Sequence, residues 1–281
     1  MNDSVPMGES ATKQPLLVIA AALGSKLNLA DFQNAVPMLR ELSIHNDSIA
    51  DEKELDLSIE SIPAFLKTKQ WHIDAVNAGQ RCHITELDVQ LDGALLSRLT
   101  EAETATVSFV LRRRGEAGVE LARLEQTVEL LPRNQWGGLS HLPDMVAAFV
   151  QPNDPSVERL LKQTAEVLRK HGKNPALDGY SGGSKRAWEL TSGIWSAVAA
   201  LGLDYALPPA SFEHAGQKVR GPGQIAESGL ATCLDLALLF CSAIEQAGLN
   251  PLLVFIRGHA FAGVWLKNEE FSTSVVDDIT A

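Results

Sequence analysis

The chain has 281 residues, 45% hydrophobic and 21% charged, enough for one large domain or two ordinary ones with a real core. Its formal net charge of -11 argues against a region whose own task is to grip nucleic-acid phosphates. No apolar run reaches the roughly 18–20 residues that cross a bilayer. The opening stretch, MNDSVPMGESATKQP, lacks the basic-then-apolar order of a secretory signal. Its three cysteines, Cys82, Cys233 and Cys241, are too scattered for a disulfide framework, so the expected setting is reducing and cytoplasmic.

In chain order, residues 1–14 are polar and expected to be disordered. From Leu16 to about Leu131 the pattern is alternation. Leu55, Leu57 and Ile59 share one face, as do Leu87, Val89 and Leu91, and Val107, Phe109 and Leu111. Period two predicts half-buried strands, and NAG, LDG and RGEAG supply the turns between them. The expectation is an antiparallel β-sandwich of immunoglobulin-like type over residues 15–138, with a partly open barrel as the competing reading. The arginines at 112–114 read as the solvated end of an edge strand.

Past Pro132 the period changes. NQWGGLSHLPDM reads as a connector, placing the boundary near residues 137–150. Pro155 and Gly172 bracket a helix with Val157, Leu160, Leu161, Thr164 and Leu168 in one stripe. RAWELTSGIWSAVAALG predicts a second helix, and PPASFEHAGQKVRGPGQ a long irregular loop. Trp188, Trp195 and Trp265 are expected in the core. Residues 139–281 thus form a second, α+β domain.

The chemistry gathers late in the chain. In TCLD, Thr232 suits an N-cap and Asp235 completes a capping box, which makes Cys233 the first helical residue. Amides there have no partner within the helix, and the macrodipole is positive, so both favour thiolate over thiol. The helix body, LDLALLFCSAIEQAG, is apolar almost all round, with Cys241 in the core. A turn, AGLNP, and two strands, LLVFIRG and AFAGVWL, follow, with His259 opening the second. That order can bring thiol and imidazole together. His45, His72, His83, His141 and His171 show no partner pattern and read as surface or turn residues, His214 as a loop residue. No His, Cys or carboxylate spacing supports a metal site, and no cofactor is expected in this region.

The stretch GLATCLDLALLFCSAIEQAGLNPLLVFIRGHAFAGVWL resembles the core of a transglutaminase-like, papain-type fold, over roughly residues 180–270. With PPASFEHAGQKVR, TCLDLALLF and GHAFAGVWL together behind an immunoglobulin-like domain, the chain resembles the N-terminal region of large bacterial phage-defence proteins. Those proteins continue into a superfamily 1 helicase and a Vsr-like endonuclease. The resemblance implies a nucleophile at Cys233, a base at His259, and an orienting acid at Asp277 or its neighbour Asp278 unless that acid lies beyond residue 281. It implies oxyanion or cleft roles for Gln217, Gln224 and Arg220, with Arg257 also flanking the site. It further implies a second domain truncated at its C-terminal end, downstream helicase and nuclease domains of the same chain as partners, and a peptide or protein as ligand. Membrane and direct nucleic-acid contacts are not expected. Two functions fit: a cysteine hydrolase or acyltransferase for peptide or amide bonds, or an inactive module that senses a partner or controls the downstream domains.

Overall fold

A computed structural model describes residues 16–115 and 119–278 of the chain. It is a mixed α and β protein that divides into two compact units, the first ending at Leu130. The second begins at Leu131 and also takes residues 28–34 and 97–102. Residues 1–15, the tip of the RGEAG turn and residues 279–281 lie outside the described residues.

The first unit is built on strands β1 (Leu17–Leu23), β2 (Lys26–Leu27), β3 (Leu39–Asn46), β4 (Glu52–Ile62), β5 (Lys69–Val76), β6 (Arg81–His83), β7 (Glu103–Arg113) and β8 (Glu120–Leu130). They form a three-stranded sheet, β1-β3-β6, and a five-stranded sheet, β2-β8-β7-β4-β5. Pairing is antiparallel apart from β2 with β8. The alternating residues make the core: Leu55, Leu57, Ile59, Val107, Phe109 and Leu111 are all fully buried. Each such side chain contributes about 1.5–3 kcal/mol by leaving water.

Two sequence expectations are corrected here. Residues 84–90 form no strand, although Leu87 and Val89 alternate with exposed neighbours. The segment is extended but held without a ladder: Glu86 O accepts from the Trp71 indole at 2.8 Å, and Gln90 O from the Lys67 amide at 2.8 Å. Alternation reports an extended backbone with two faces, not hydrogen-bonded pairing. The arginines at 112–114 do not end an edge strand, because β7 lies between β8 and β4. Arg113 pairs with Glu52 at 2.7 Å and Arg114 with Glu54 at 2.9 Å across to β4 and its start.

The second unit takes in α1 (Leu29–Gln33), and α2 (Gly93–Arg98) runs into it from the first. Then come β9 (Gln135–Trp136), a 3-10 turn (Pro143–Phe149), α3 (Pro155–Lys170), α4 (Gly183–Ala199), β10 (Asp204–Tyr205), α5 (Phe212–Ala215), β11 (Gln217–Lys218), α6 (Pro222–Ser228), β12 (Leu230–Ala231), α7 (Cys233–Gln246), β13 (Pro251–Ile256) and β14 (His259–Val264). Asp154 caps α3 by accepting from Ser156 N, Pro155 sits at its start, and Gly172 follows its end in the left-handed region. The five residues of the predicted stripe are the ones α3 buries. They pack against Leu190 and Ile194 of α4 and Leu239 and Ile244 of α7. Gly193 permits this approach, since a Cβ there would press on Thr164 and Leu168 at 3.1 and 3.2 Å. Among the described residues no helix is long and apolar enough to cross a membrane.

Candidate functional site

Helix α7 starts as its sequence predicts. Thr232 is the N-cap, with its hydroxyl accepting from Asp235 N at 3.2 Å, and Asp235 accepts from Thr232 N at 2.9 Å. This box takes the amides of the cap and the third helical residue. The amides of Cys233 and Leu234 have no carbonyl of the preceding turn to bond. Cys233 is therefore the first helical residue, buried to 2% exposure at the positive end of a helix whose body is sealed in apolar contacts.

Asp235 is fully buried two positions away, and its charge opposes a thiolate. Arg220 answers that charge, donating its backbone N–H at 2.8 Å and its guanidinium at 3.0 Å to the carboxylate. Arg220 is thus a clamp on the helix cap, not a cleft residue. Gln217 is also tied to the cap: its amide donates to the Thr232 hydroxyl at 2.9 Å, and its carbonyl oxygen is buried with no hydrogen-bond partner. Gln224 is exposed on α6. Neither glutamine lines the cavity that Cys233 reaches.

His259 is the first residue of β14, in a hairpin whose register pairs Ile256 with His259 and Pro251 with Val264. The direction of β14 along α7 follows from packing. Ala260 shares a core cluster with Cys233, Leu234 and Ala237, whereas Val264 packs on the cluster holding Leu239 and Ile244. The histidine end of the strand therefore lies at the cysteine end of the helix. Both ends of the hairpin are tethered. Glu213 accepts from Gly258 N at 3.1 Å, and the Tyr180 hydroxyl donates to Trp265 O at 2.9 Å and accepts from Asn250 N at 3.0 Å. Its own backbone N–H, then that of Gly258 and the charges of His214 and Arg257, hold the buried Glu213 carboxyl below its ordinary range.

Cys233 and His259 line one cavity of about 580 Å³. Its walls are α7, through Leu236 and Phe240, and β14, through His259 and Phe261. Trp188 and Trp195 of α4 form part of the rim. At 63% and 64% exposure they are not core residues as the sequence suggested. Gly193 explains why: it turns the opposite face of α4 toward α3, so tryptophans five before and two after it point outward. The remaining wall is Tyr205, half exposed, which the sequence reading missed within DYALPP. Desolvation, then hydrogen bonding with the Cys233 side chain, holds the Tyr205 phenol above its ordinary range.

Asp277 lies exposed in irregular chain near the end of the described residues. Among them no carboxylate hydrogen-bonds the His259 ring, whose aromatic neighbour is Phe261 at 6.3 Å between centroids. Cys241 is buried and bonded to Leu252 O at 3.7 Å; burial pushes its thiol up to about 12. Arg257 is exposed in the hairpin turn. No protein-family model matches the chain, and no curated protein is significantly similar to it.

Proposed function

We propose that the second unit is a transglutaminase-like cysteine hydrolase or acyltransferase acting on peptide or amide bonds. The observation that carries this is the shared cavity: a cysteine at the tip of a capped, buried helix and a histidine delivered by the neighbouring strand. Cys233 transfers its proton to the His259 imidazole and attacks the acyl carbon. The carbonyl electrons move onto oxygen, beside the backbone amide of Cys233. The oxyanion then collapses, the amine leaves with the proton from His259, and a thioester remains for water or a second amine. The largely apolar lining of the cavity suits an uncharged acyl segment.

In this reading the first unit is an immunoglobulin-like sandwich, and the chain is the N-terminal region of a bacterial helicase–nuclease defence protein, with downstream domains as partners. A second reading, an inactive sensing or regulatory module, is favoured by the exposed Asp277 and by a histidine with no carboxylate partner among the described residues. The discriminating experiment mixes the protein with p-nitrophenyl acetate. Catalysis predicts a p-nitrophenolate burst of about one per chain that is lost in Cys233→Ala and strongly slowed in His259→Ala. A wild-type trace identical to that of Cys233→Ala favours the module.

A further inference from the structure

The site as read from sequence lacks a side-chain donor for the oxyanion, because Gln217 is committed to Thr232 and Gln224 faces solvent. Tyr205 fills that gap. Strand β10 runs parallel to β12 with Tyr205 opposite Ala231, two residues before Cys233. Asp204 N donates to Gly229 O at 2.8 Å and Ala206 N to Ala231 O at 2.9 Å, so both sides of Tyr205 are anchored to the approach to α7. The anchored backbone leaves the phenol on the cavity wall with Cys233 and His259. The phenol lines the same cavity as Cys233, whose side chain and backbone N–H are among the groups that shift the phenol's titration. That N–H is the one against which an acyl oxygen would rest.

We infer that Tyr205 is a catalytic residue, donating the side-chain hydrogen bond of the oxyanion hole beside the Cys233 amide. The inference rests on the acyl-transfer reading above. As the C–S bond forms and the carbonyl π pair moves to oxygen, the thiol proton goes to His259. Tyr205 keeps its own proton and donates a hydrogen bond to the new oxyanion. On collapse the C=O bond re-forms, the leaving group departs, and the phenol returns to the thioester side of the cavity. Its half exposure gives it room for the shift.

The test separates acylation from thiol reactivity in Tyr205→Phe, which keeps the ring. Acylation by p-nitrophenyl acetate passes through an oxyanion; alkylation by iodoacetamide at the same sulfur does not. The expected result is acylation slowed on the order of a hundredfold, with alkylation of Cys233 within about twofold of wild type. Three outcomes overturn the inference: unchanged acylation, an equal fall in both reactions, or a rise in both, the last meaning that the phenol merely shields the thiol. Failure of the underlying reading looks different: wild type itself then acylates no faster than Cys233→Ala.

Discussion

Replacing Thr232 by alanine tests how the fold holds its candidate nucleophile. The hydroxyl accepts two buried hydrogen bonds, from Asp235 N at 3.2 Å and from the Gln217 amide at 2.9 Å. Losing an N-cap side chain costs about 1 kcal/mol. The Gln217 amide is then stranded at 4% exposure, with its carbonyl oxygen already lacking a partner, at a cost of about 1–2 kcal/mol. The expected destabilisation is about 2–3 kcal/mol, and Thr232→Ser should recover most of it. Urea unfolding followed by tryptophan fluorescence reads this out, because Trp136, Trp188, Trp195 and Trp265 all lie in the second unit. With a slope of about 2 kcal/mol per molar urea, the midpoint falls by about 1–1.5 M. A Thr232→Ala midpoint within about 0.2 M of wild type would refute the reasoning.

Three further outcomes are expected. Asp178 is held below the ordinary carboxylate range by the Ser181 hydroxyl and then by the buried Arg186, which it meets at 2.7 Å. A depressed carboxylate stabilises above its unfolded value of about 4 and loses that contribution as pH falls through its folded value. Asp178→Asn should therefore cost about 1–3 kcal/mol at pH 7, a gap that narrows as pH falls below about 4 in paired urea titrations; an equal gap at pH 7 and pH 3 contradicts the ion pair. Gly216 has φ +87°, and a Cβ there would lie 2.0 Å from Trp136 O, so Gly216→Ala should cost about 3 kcal/mol or more by thermal unfolding. Cys241 should resist iodoacetamide at pH 8 in the folded protein and react only after denaturation, as mass spectrometry of its peptide would show.

Much of the site's scaffold is written locally. The capping box at Thr232 and Asp235, the α3 stripe and the hairpin that opens on His259 each depend on neighbours within a few residues, so their spacing alone specifies them. What the sequence hid depends on distant partners. Nothing near Trp188 or Trp195 says that Gly193 turns the other side of α4 inward. Tyr205 sits in the short stretch between the predicted second helix and the predicted loop, to which the sequence pattern assigns no role, and its importance comes from pairing with Ala231, 26 residues on. Arg220 looked like a cleft cation because its partner Asp235 was already accounted for as a cap. The segment around Leu87 misled in the opposite sense, having the period of a strand without a neighbour to pair.

The proposed chemistry requires Cys233 to be made reactive by its place at a helix tip and by the histidine sharing its cavity. The most direct measurement is iodoacetamide labelling of the folded chain at pH 6.5, resolved by mass spectrometry into Cys82, Cys233 and Cys241, in wild type and His259→Ala. The prediction is that Cys233 labels on the order of tenfold faster than half-buried Cys82 in wild type and loses most of that advantage in the variant. Labelling of Cys233 no faster than Cys82, or indifferent to His259, would contradict it.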